Sequence, residues 1–167
     1  MSTTQSHATA ERIGLHEGSI ALPGGFEDRT TNIFVPADTQ TQANLSIARD
    51  WLHDGESLAA YVDRQLAALK SRLPGHKLLL RAREQLGQDS GSLLGERIEA
   101  LHKNGQQTIR QRQAAFVVAP RRALILTASS PRAFDDRFEA LWRSWLDSFM
   151  PRTHQQPPSA ADCAADV

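Results

Sequence analysis

Apolar and polar positions alternate with a period of two along most of this chain, and helical spacing takes over twice. Over residues 16–22, Ile20 and Leu22 alternate with Ser19 and Ala21. Over residues 30–35, Thr31, Ile33 and Val35 alternate with Asn32 and Phe34. Pro23-Gly24-Gly25 lies between them, and glycine takes positive φ without steric cost, so the pattern predicts a hairpin-like opening. Pro36 ends its second strand, because proline cannot donate to a ladder. A third strand is predicted over 43–51. There Leu45 and Ile47 form a core face, while Asn44, Ser46 and Ala48 form a small or polar face that meets solvent or leaves room for something to lie against it.

Ser57 is a good N-cap for a helix whose apolar stripe is Leu58, Val62, Leu66, Leu69 and Leu73, and Pro74-Gly75 ends it. Four more strands follow, at about 77–86, 93–103, 107–118 and 123–128. Asn104-Gly105 between the second and third of these is a strong hairpin signal. Ser130-Pro131 is read as the start of the last helix, with proline at its tolerated first position. Phe134, Phe138, Leu141, Trp142, Trp145 and Phe149 give that helix an aromatic stripe, the expected main core filler, and Pro151 stops it. Runs of antiparallel-type strands with two helices predict an α+β fold, one antiparallel sheet with both helices packed on it. The polar segments 1–13 and 151–167 are expected to be disordered, flanking a single domain over 14–150.

Composition narrows the function classes. The 167 residues are 40% hydrophobic and 23% charged, with 19 basic and 19 acidic side chains. A formal net charge of zero argues against general nucleic-acid binding, which depends on neutralising phosphate charge. Arg110, Arg112, Arg121 and Arg122 are therefore read as a solvated strand face and a turn. The single cysteine, Cys163, suits a reducing compartment. The polar start MSTTQSHATAERIG lacks an apolar core, so the expectation is a cytoplasmic protein without a secretory signal.

Catalytic signatures are missing from the sequence: no Walker-type loop, no G-x-S-x-G elbow and no dinucleotide fingerprint. The six histidines show no metal-ligand spacing and are read as isolated surface or turn residues. Asp135-Asp136 are read as structural acids near a helix start, where the dipole favours them. No cofactor and no metal is expected. The residues that resist a bland reading are glutamines. Gln65 falls inside the apolar helical stripe, and Gln111 and Gln113 share a strand face with Ile109, Ala115 and Val117. A buried amide must find partners. Either each is satisfied by backbone or water or is simply exposed, or together they line a mostly apolar groove awaiting an outside partner.

The segments HEGSIALPGGFEDRTTNIFVP, NLSIARD, YVDRQLAALKSRLPG and RQRQAAFVVAPRRALILTASSP, with the closing helix FEALWRSWLDSF, together resemble the DcrB-related family, nearest its Eag chaperone branch of bacterial type VI secretion. The resemblance spans about residues 14–150. It implies a PsbP-like α+β fold and a cytoplasmic, non-enzymatic, usually dimeric chaperone. Such a chaperone shields the N-terminal transmembrane segments of a PAAR-domain effector, often an Rhs toxin, until loading on the secretion spike. The family's groove is apolar with Gln and Ser interspersed. Matching positions here are Ile33, Val35, Ser46, Ala48, Gln65 and Leu69, with Gln111 or Gln113. An immunity or inhibitor protein that binds a folded toxin domain through a polar surface is the alternative. An enzyme is disfavoured, since no nucleophile–base pair or metal spacing appears.

Overall fold

The computed structural model describes residues 12–15, 17–38, 42–88 and 91–151. The described elements are β1 (Arg12–Gly14), β2 (Ser19–Ala21), β3 (Asn32–Phe34), β4 (Asn44–Trp51), α1 (Leu58–Arg72), β5 (Lys77–Leu86), β6 (Leu93–Asn104), β7 (Gln107–Ala119), β8 (Arg122–Ser130) and α2 (Asp136–Asp147). Strands β3 to β8 form one antiparallel sheet in the order β3-β4-β8-β7-β6-β5, and the two helices pack on its opposite faces. The fold is α+β.

The meander β5–β8 follows from local signals. Asn104 pairs with Gln107 around Gly105, whose φ of 59° is the left-handed conformation glycine permits. At the next reversal Arg121 itself takes φ 59°. Gly95 on β6 is needed for packing, because an added Cβ would run into the Phe116 ring and the Ala115 carbonyl.

Each face has its own core. On one, α2 lays Phe138, Trp142 and Leu146 against Leu86, Ala114, Phe116, Leu126 and Ala128, with Leu45 and Ile47 of β4 at the side. On the other, Tyr61 and Val62 of α1 pack with Leu52, Ile98, Ala115 and Ala123. The two-faced reading of β4 is observed, with Leu45 and Ile47 against the α2 core and Ser46 and Ala48 on the other side.

Four expectations need correction. The strands flanking Pro23-Gly24-Gly25 do not pair. β2 pairs with β1 as a separate ribbon, whereas β3 joins the main sheet beside β4. A tighter reversal wins: the Leu15 amide donates to the Gly18 carbonyl at 2.7 Å, bringing Gly14 opposite Ser19. Second, the last helix begins at Asp136, not at Ser130-Pro131. Ser130 still belongs to β8, paired with Arg110, and its hydroxyl accepts from the Arg132 amide in a local turn. Asp135 is the N-cap, accepting from the Phe138 amide at 2.9 Å, so its structural reading holds. Third, Arg112 is not on a solvated face but 2% exposed under α2. Fourth, His76 and His102 are not isolated surface groups. Their Nε2 and Nδ1 atoms, respectively, are buried without hydrogen-bond partners among the described residues, and burial, then the neighbouring His76 charge, lowers the His102 pKa. Arg12 and Ile13, read as part of the N-terminal tail, lie in β1. The expectations for residues 1–11, for 152–167 and for Cys163 lie outside the described residues.

Candidate functional site

The two faces of the sheet are covered unequally. α1 packs on β6 and β7, leaving the β3–β4–β8 side of its face open. The opening is a groove of about 430 Å³, walled by Tyr61, Val62, Gln65 and Leu69 of α1 and floored by strand residues.

Strand register builds the floor, because residues opposite one another in an antiparallel ladder share a face. One row runs Ile33–Ser46–Thr127–Gln113–Ile98 across five strands. The next runs Ala48–Ile125–Ala115–Glu96. A third places Asn44 beside Ser129 and Gln111. The floor is thus apolar at Ala48, Ile125, Ala115 and Ile98, with hydroxyls and amides set among them. The side chains of Ser46, Thr127 and Gln113 make no hydrogen bond among the described residues.

Where the α1 wall meets β4, Asp50 organises the polar groups. Its Oδ2 accepts from the Tyr61 hydroxyl and from Gln65 Nε2, each at 3.1 Å, and its Oδ1 accepts from the Trp51 amide at 2.8 Å. Arg29 stands 4.0 Å from Oδ1, but its guanidinium is engaged by Glu27 at 3.0 Å. Burial pushes the Tyr61 hydroxyl far above the usual tyrosine range, and the Asp50 charge acts the same way, so Tyr61 is a fixed neutral donor. Just before α1, Glu56 accepts from Arg64 and from the His53 amide, and the Arg64 bond brings its carboxyl down to about 2. That clamp ties the loop after β4 to the helix and fixes the groove wall.

Six of the residues singled out from sequence come together here: Ser46, Ala48, Gln65, Leu69, Gln111 and Gln113 all line the groove. Ile33 stands at its rim, 68% exposed and opposite Ser46. Val35 is not brought to the groove. It follows β3 and lines a separate cavity of about 370 Å³ with Phe34, Leu45, Phe134 and Leu141. Neither backbone nor water is the observed partner of Gln65: the Asp50 side chain satisfies one end of its amide. Sequence reasoning missed Asp50, Tyr61, Ile125 and Thr127. Asp50 was available from the same alternation that marks Ser46 and Ala48. Thr127 needed the β4–β8 register, which no local pattern carries.

The α2 face has a polar cluster that closes on itself. Arg112 is held by Glu99 at 3.0 Å and by both oxygens of Glu139, and it stacks on Phe134, Phe138 and Trp142. Nearby, Glu84 accepts from Trp142 Nε1, Arg97 and Arg143. Every carboxylate there faces a cation, so the cluster braces α2. Among the described residues, no group of three or more His, Cys, Asp or Glu could hold a metal ion, and no helix is long and apolar enough to cross a membrane.

Comparison with known proteins places this geometry among relatives. A family model described as DcrB matches residues 17–148. A Pseudomonas aeruginosa protein named Effector EagT6 is 27% identical over 140 residues, covering 83% of this chain and 94% of its own. A crystal structure of PA94, a Pseudomonas aeruginosa protein of unknown function, superposes with a TM-score of 0.70 at 24% identity, over 86% of this chain and 98% of that one, a likeness of fold.

Proposed function

The chain belongs to the DcrB family, and from that premise we propose that this protein is a type VI secretion chaperone of the Eag kind, a binding protein rather than an enzyme. The relative named Effector EagT6 supports the link to a secreted effector. In this reading the groove between α1 and β3 shields an apolar N-terminal helix of a PAAR-domain effector, often an Rhs toxin, in the cytoplasm before the spike is loaded. The chaperone acts as a homodimer, so two grooves are available.

The observation that carries the reading is the row Ile33–Ser46–Thr127–Gln113–Ile98. A membrane-spanning helix in water exposes apolar surface and aggregates. A cover needs apolar area, small residues that allow close approach, and polar groups that replace interhelical hydrogen bonds. The row supplies all three, and its hydroxyls and amide are left open. The proposed contacts are Ile33, Ser46, Ala48, Gln65, Leu69, Gln111 and Gln113.

Co-expression with the N-terminal segment of the effector encoded beside it tests the reading. Size-exclusion chromatography with light scattering should show a soluble complex of defined stoichiometry, with the effector segment insoluble alone. An effector segment that is soluble alone and elutes apart from this protein would overturn it.

A further inference from the structure

The Gln65 amide is held in one orientation, and Asp50 is what holds it. As a carboxylate Asp50 only accepts hydrogen bonds, so a glutamine can meet it only through its NH2 end. Gln65 does so at 3.1 Å, with the Tyr61 hydroxyl on the same oxygen. The other end of the amide is then turned away from Asp50, and Gln65 Oε1 accepts nothing among the described residues. Gln111 is arranged in the same sense, its Nε2 donating to Ser129 Oγ at 3.3 Å. A hydroxyl can donate as well as accept, so that second amide is not fixed as the first is.

Resting on the groove reading above, we infer that Asp50 is a positioning residue that fixes Gln65 Oε1 as a hydrogen-bond acceptor in the groove, which thereby selects an apolar helix with a serine or threonine hydroxyl on its buried face. Backbone amides inside a helix are already bonded to carbonyls four residues earlier, so the donor must come from a side chain. Hydroxyls donate without adding a charge to the apolar segment. An occupant with only alkyl side chains there leaves the carbonyl desolvated and unpaired, which costs binding.

Two synthetic helices test this, each of Leu and Ala with lysines at both ends, one bearing serines four residues apart and one bearing alanines instead. They are titrated by fluorescence against the full chain and against Asp50→Asn. The native protein should prefer the serine helix by about threefold to tenfold, the ratio expected for one neutral hydrogen bond. In Asp50→Asn the Gln65 amide is free to turn over, so the preference should fall to about one. A native protein that binds both helices equally overturns the inference and leaves the groove reading standing. One that binds neither overturns both. A preference that persists in Asp50→Asn overturns the role of Asp50. Should that variant fail to fold by circular dichroism, Gln65→Met replaces it. Loss of the preference there supports the fixed acceptor, and its persistence overturns it.

Discussion

Ile33 shows how one side chain's parity separates binding from folding. It is 68% exposed at the groove rim, while its neighbour Phe34 faces the other way and meets Trp145 edge-on at 6.3 Å. Ile33→Asp is therefore expected to leave thermal stability within about 0.5 kcal/mol, as exposed substitutions do, while abolishing capture of the effector segment. Loss of folding in a denaturation curve would show that Ile33 is core. Arg112 is the converse case. Replacing it with Met keeps the volume but strips Glu99 and Glu139 of their common cation. Destabilisation by about 3 kcal/mol is expected, measured by urea unfolding, because the buried Glu99 loses its direct partner and keeps only the Arg97 and Arg110 guanidinium groups at 4.0 Å. The faces of β4 were legible in sequence because Leu45 and Ile47 alternate with Ser46 and Ala48. Arg112 was not legible, since its partners arrive from β6 and α2, respectively 13 and 27 positions away.

At the scale of elements, caps decided which boundaries could be read. Ser57 caps α1 as its sequence suggests, its side chain accepting from the Ala60 amide. Ser130 carries the same local signal, yet the β8 ladder claims it first and Asp135 takes the capping role. The β1–β2 ribbon was missed for a related reason: a Pro-Gly-Gly segment permits a reversal without choosing which strands meet across it. The brace at the start of α1 gives a pH prediction. The Arg64 bond lowers the folded Glu56 carboxyl from 4.5 to about 2, so its contribution is present above about pH 4.5 and is lost as pH falls toward 2. Glu56→Gln should flatten the stability profile in that window and leave the slope above pH 5 unchanged, as read by thermal melts across a pH series. An unaltered acid limb would remove the clamp from the account.

The main sheet carries α2 over its more fully packed face and α1 over part of the other. α2 brings a buried aromatic layer and a closed ion cluster to its face. α1 packs on β6 and β7 and leaves open a groove floored by β4, β8, β7 and β6, with β3 at its rim. The α+β class and both helices were readable from period alone. The groove is a product of strand order, because β4 pairs with β8 across the whole intervening meander and no nearest-neighbour pattern encodes that step. This asymmetry makes one face structural and the other available. Site-specific photo-crosslinking tests that division most directly. A photoreactive residue is placed at Ile33 on the groove rim or at Leu141, which is 49% exposed on the α2 side, in protein co-expressed with the effector's apolar N-terminal segment. A covalent adduct from position 33 and none from position 141 is the expected result. Adducts from position 141 alone would place the partner on the opposite face and contradict the account.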